Sequence, residues 1–123
     1  MSSLHDLAAR FIDTLDRRDW HAWSALLHDD VVYEIPQTRE RIIGRSRYLQ
    51  FNQEYPGAWQ LTPRTIIADH ERAVVWFTWT VDDDTADAMA FFEVADELIT
   101  NVTDFWPEPY DPPPGREHLV ERY

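Results

Sequence analysis

Asp29-Asp30-Val31-Val32-Tyr33-Glu34-Ile35-Pro36 is the stretch at which the chain changes period. From Val31 to Ile35 it is rich in β-branched and aromatic residues and reads as a strand. Pro36, which has no amide hydrogen to give a ladder, stops it. Upstream, Leu4, Leu7, Ala8, Phe11, Ile12 and Leu15 recur at spacings of three and four, one apolar face of a helix that Ser2 or Ser3 can cap. Asp16-Arg17-Arg18-Asp19 interrupts the pattern. Asp19 is placed to cap a second helix with Trp20, Trp23, Ala25, Leu26 and Leu27 on its buried face, and Asp29-Asp30 closes that unit.

Downstream of Pro36 a polar loop leads to a short strand at Arg41-Ile42-Ile43, and Gly44 is a break. Residues 45–55 read as a third helix, ended by Pro56-Gly57. Four strands follow at 58–68, 73–81, 86–94 and 98–106, joined by short polar connections of the kind antiparallel hairpins need. Helices first and a meander afterwards predict an α+β domain, with helices packed on one face of a strongly curved, mostly antiparallel sheet. Residues 1–106 make this domain. Residues 107–123 are a separate C-terminal tail, which opens with five prolines in the nine residues from Pro107 to Gly115 and so runs extended. The tail either crosses the domain or a neighbouring subunit, with Tyr110 and Tyr123 as anchors, or it frays.

The 123 residues include 23 acidic and 11 basic side chains, all of the latter arginine, for a formal charge of -12. That charge opposes binding to nucleic acid or to an anionic membrane, both of which need clustered positive charge. There is no cysteine, hence no disulfide framework, thiolate–zinc site or thiol nucleophile. No apolar run is long enough to span a bilayer, and the first six residues lack the pattern of a signal peptide, so a soluble cytoplasmic protein is the default. The five histidines form no metal-ligand spacing, and Asp82-Asp83-Asp84 lacks the glycine and distal glutamate of a calcium loop. Neither metal nor cofactor is called for. Any chemistry therefore falls to carboxylates and phenols. The 17 aromatic residues are the notable excess.

The two-helix start followed by Asp29-Asp30-Val31-Val32-Tyr33 resembles the nuclear transport factor 2-like superfamily over about residues 4–106. The SnoaL-like polyketide cyclases, ketosteroid isomerases and limonene-epoxide hydrolases belong to it. The resemblance implies a cystatin-like cone: three N-terminal helices wrapped by a bent sheet, a hydrophobic pocket at the open end, and often a homodimer through the outer sheet face. Aligned with the ketosteroid isomerase pattern from Arg10 to Pro36, the oxyanion-hole tyrosine falls on Phe11 and the catalytic aspartate on Ile35. The second oxyanion donor falls on Met89 or Ala90. Proton abstraction needs a base and enolate stabilisation needs donors, so that mechanism lacks its groups. Phe51 coincides with a pocket phenylalanine of the isomerases. Asp104-Phe105-Trp106 matches the final-strand carboxylate and aromatics of the epoxide hydrolases, but their arginine–aspartate pair has no counterpart between Val74 and Val81.

Asp104 is the leading catalytic candidate. Alternation groups it with Thr100, Val102 and Trp106 on one strand face, against Asn101, Thr103 and Phe105 on the other. Neither set is the more apolar, so periodicity leaves either face as the inner one. An inward Asp104 is a desolvated acid or base, with Val102 and Trp106 beside it as substrate-binding groups. Tyr33, on the same strand face as Ile35, is a hydrogen-bond donor to substrate or a packing residue with a wet tip. Phe11, Ile35, Phe51 and Asn52 join the substrate-binding set, with Tyr48 and Tyr55 either capping the pocket or forming an ordinary core face. Trp76 and Trp79 are an odd number of residues apart, so one faces the cavity and the other the outside, and Trp76 is taken as the inner one. Arg39, Arg41, Arg45 and Arg47 are the basic cluster, either a lure for an anion or partners for surface carboxylates. The function that follows is cofactor-free acid–base chemistry on a hydrophobic small molecule, by Asp104 and Tyr33: cyclisation, isomerisation, dehydration or hydrolysis. The competing function is non-catalytic ligand binding or dimeric association.

Overall fold

In a computed structural model describing residues 3–123, the elements run α1 (Leu4–Asp16), α2 (Trp20–Ser24), β1 (Leu27–Ile35), β2 (Glu40–Ile43), α3 (Arg45–Glu54), β3 (Gln60–Ala68), β4 (Arg72–Val81), β5 (Asp84–Ala95) and β6 (Leu98–Phe105). Ser3 caps α1 through Asp6 N, and Asp19 caps α2 through Ala22 N, as the polar–apolar boundaries predict. Ser2, the other candidate cap, lies outside the described residues. The second helix is shorter than predicted. It ends at Ser24, and Leu27, His28, Asp29 and Asp30 belong to β1. The correction has a physical cause: Leu27 pairs with Ile99 of β6, and Ile99 N donates to Leu26 O, so sheet pairing captures a segment whose spacing also suits a helix.

Six strands form one sheet in the order β2-β1-β6-β5-β4-β3. Only the β1–β6 pair is parallel. There are three helices among the described residues, but α3 follows β1 and β2 instead of preceding every strand. β3 is an edge, which is where Pro63 is tolerated, and the register shifts between Pro63 and Thr65. Two hairpins turn on tight polar pairs. Asp96 and Glu97 both have positive φ, as a two-residue turn of primed type requires, and Val81 pairs with Asp84 across Asp82-Asp83.

The inner face of the sheet carries Val75, Phe77, Ala88, Ala90, Phe92 and Val102, all buried. Phe11 of α1 meets Phe92 edge-on at 4.7 Å and Trp23 of α2 at 5.7 Å, so the helical corner is seated at one end of the inner face. The small side chain of Ala90 on β5 leaves volume above the sheet that a larger residue would fill. No helix among the described residues is long and apolar enough to cross a membrane.

Candidate active site

A cavity of about 470 Å³ opens between α1, α3 and the inner sheet face. Nine of the 17 aromatic residues line it, so the aromatic excess is concentrated in one wall system. Into it points Asp104 of β6, paired in register with Ala90 and only 8% exposed. The Tyr33 hydroxyl of β1 donates to Asp104 Oδ2 at 2.6 Å. Tyr48 of α3 stacks on Tyr33 at 4.5 Å with ring planes 17° apart, and Phe51 packs against Tyr33 at 5.7 Å.

The electrostatics follow from burial. Loss of water pushes the Asp104 carboxyl up to about 7, while the Tyr33 hydroxyl and the Trp106 indole act in the opposite sense by favouring the carboxylate. Tyr33 and Tyr48 are held well above the usual phenol range, first by burial and then by the negative charge of Asp104. Both phenols therefore stay protonated at neutral pH. The Asp104 carboxyl, in contrast to the two phenols, is poised to exchange a proton near pH 7.

Most of the predicted site residues come together. Phe11, Ile35, Phe51, Asn52 and Trp106 line the cavity with Tyr33 and Asp104. Asn52 Nδ2 donates to Tyr48 O at 3.0 Å, which holds the amide against its own helix. Two members of the set do not line it. Trp76 lies on the outer face, 42% exposed, and Trp79 is the tryptophan of β4 that faces inward. The two do sit on opposite faces, but with the reverse assignment, because Val75 and Phe77 bury their side chains against the helices and carry Trp79 with them. Val102 shares the face of Asp104 but is fully buried in the filled core below the cavity.

Trp59, Leu61, Gln37, Glu40 and Glu108 also line the cavity, and no local pattern marks them. Trp59 is placed by Arg18, whose guanidinium lies 3.6 Å over the indole and donates to Trp59 O, while Asp16 Oδ1 accepts from Leu61 N at 2.8 Å. The end of α1 thus fixes the start of β3. Gln37 Oε1 accepts from Trp106 N, tying the loop after β1 to the chain leaving β6. Glu108 belongs to the proline-rich segment read as separate from the domain. Arg41 pairs with Glu34 at 3.2 Å and Arg45 with Asp29 at 2.6 Å, and no arginine or histidine among the described residues lines the cavity. Nor do three metal-ligating side chains gather anywhere among the described residues.

The positions aligned with isomerase catalytic groups are apolar in space as in sequence. Phe11, Ile35 and Ala90 line the cavity, and Met89 alternates to the outer face.

The profile of the SnoaL-like domain matches residues 8–102. A crystal structure of a candidate ketosteroid isomerase from Kribbella flavida is 56% identical, covering 95% of this chain and 87% of that chain with a TM-score of 0.94. A candidate polyketide cyclase from Xanthomonas campestris is 26% identical over 82% of this chain and 87% of that chain, TM-score 0.69. An epoxide hydrolase from M. tuberculosis similar to the limonene-epoxide enzymes is 24% identical over 82% of this chain and 80% of that chain, TM-score 0.69, a likeness of fold. No curated protein matches the sequence significantly. With more than three-quarters of its length matched by the profile and a relative identical at more than half of the aligned positions, the chain belongs to the SnoaL-like domain family.

Proposed function

We propose that the domain binds a hydrophobic small molecule in the aromatic cavity and performs cofactor-free acid–base chemistry on it. Asp104 moves the proton and Tyr33 orients the carboxyl. The observation that carries this is the buried Tyr33–Asp104 hydrogen bond in the cavity wall. A carboxyl raised to about 7 exists in both protonation states at physiological pH, so it can take a proton and return it within one turnover. Isomerisation, cyclisation, dehydration and hydrolysis all fit such a group. With Phe11, Ile35 and Ala90 apolar, an isomerisation would run on Asp104 and not on the base of the steroid isomerases.

The apolar character of those same three positions favours a second reading, a non-catalytic binding domain. A thermal-shift screen against steroid, terpenoid and polyketide ligands, followed by turnover assays of the stabilising compounds, separates the two. Catalysis predicts that Asp104→Asn keeps its fold and, at saturating ligand, loses at least about 100-fold in turnover. Full turnover in that variant removes Asp104 from the mechanism. We further propose that the protein is a homodimer through the outer sheet face, where Trp76 and Phe91 are 42% and 46% exposed.

A further inference from the structure

We propose that the molecule held in this cavity carries a cationic amine nitrogen, seated against the aromatic faces and paired with Asp104. This rests on the cavity being the ligand site, and narrows the ligand from hydrophobic molecules in general to hydrophobic amines.

Three observations converge. First, the rings of the cavity wall form a continuous chain of contacts. Tyr33, Phe51, Tyr55, Trp79, Trp106 and Phe77 contact one another in that order, with centroids 5.7 to 6.4 Å apart. The last three contacts stand at 82°, 90° and 87°, so neighbouring rings meet at right angles, and all six line the cavity. Ring faces carry the negative lobe of the aromatic quadrupole, which attracts a cation most when both are out of water. Second, every charged side chain that lines the cavity is acidic: Asp104 in the wall, with Glu40 and Glu108. No arginine or histidine among the described residues balances them there. Third, Tyr33, the phenol nearest the carboxyl, already donates to Asp104. An anionic ligand finds no cation, and a developing oxyanion finds that donor occupied. A neutral ligand leaves Asp104 to be neutralised at its own expense, whereas an ammonium supplies the missing countercharge to a desolvated carboxylate. The 470 Å³ volume exceeds an ammonium headgroup and admits an apolar body attached to it. The overall charge of -12 raises the local concentration of cations at low salt.

The test compares two isosteric probes by titration calorimetry at pH 8, benzyltrimethylammonium and the neutral neopentylbenzene, on the wild-type chain and variants. The cation is expected to bind about tenfold tighter or more than its neutral isostere. Asp104→Asn is expected to erase that preference while keeping the neutral probe. Should Asp104→Asn fail to fold, Trp79→Leu and Glu108→Gln serve in its place, each weakening the cation more than the neutral molecule. Equal or tighter binding of neopentylbenzene to the wild-type chain overturns the amine inference and leaves the ligand pocket standing. Cation binding that none of these variants alters places the probe elsewhere and also overturns it. Failure of both probes, with no stabilising ligand in the wider screen, overturns the pocket and the amine together.

Discussion

At Asp104 a carboxyl that ionises near 3.8 in water is held up to about 7 by burial. Between those values the folded chain keeps a proton that the unfolded chain releases. The stability this contributes is full below about pH 4 and is lost as pH rises through 7. Asp104→Asn does not titrate, so its stability relative to wild type should improve from pH 4 to pH 8, by on the order of 4 kcal/mol. Urea denaturation across that range reads the difference, and a constant gap would mean an ordinary, solvated carboxyl. Tyr33→Phe tests the partner. The hydroxyl favours the charged form, so its loss should move the carboxyl above 7 and shift any pH–activity inflection upward, with a cost of about 1–3 kcal/mol at pH 8. An inflection that stays in place would show that the hydrogen bond does not tune the acid. The residue types at this pair were legible in sequence, but their meeting was not. Alternation gave Thr100–Trp106 two equally plausible faces, and a bond across 71 positions chose between them.

Among the elements, the turn after α3 and strand β4 show how local rules reach their limit. Gly57 has φ +94, and a Cβ there would come within 2.8 Å of Val81 Cγ2. Gly57→Ala should therefore destabilise by about 1–2 kcal/mol or more, measured by thermal or urea denaturation, since both the backbone and the neighbour must give. Pro56-Gly57 was readable as a helix stop, while the contact with β4 was not. On β4 the two tryptophans had to lie on opposite faces, but apolar neighbours on both sides hid which was inner. The helices above Val75 and Phe77 settle it. Trp76→Glu should disrupt the dimer proposed on this face and leave binding in the cavity in place, checked by sedimentation velocity alongside calorimetry. A variant that still dimerises with unchanged affinity would move the interface away from this face.

For the whole molecule, the boundary at residue 106 is sharper in sequence than in space. Tyr110, Leu119 and Tyr123 are exposed, so neither tyrosine is anchored against the rest of this chain. Glu108, in contrast, lines the cavity. Deleting residues 110–123 should leave the thermal midpoint and ligand binding nearly unchanged, by differential scanning calorimetry and titration. A large fall in either would assign the tail a structural part.

The sequence by itself determined the α+β class, the caps at Ser3 and Asp19, the stop at Gly57 and the lack of any thiol, because periodicity, capping and composition act within a few residues of chain. Only the tertiary structure decided that Leu27 starts a strand, that Trp79 and not Trp76 faces the cavity, and that Trp59 and Glu108 help to line it. Each of those outcomes depends on partners far along the chain. Strand pairing, sheet curvature and desolvation are set by what lies across the core, and no local pattern carries that information.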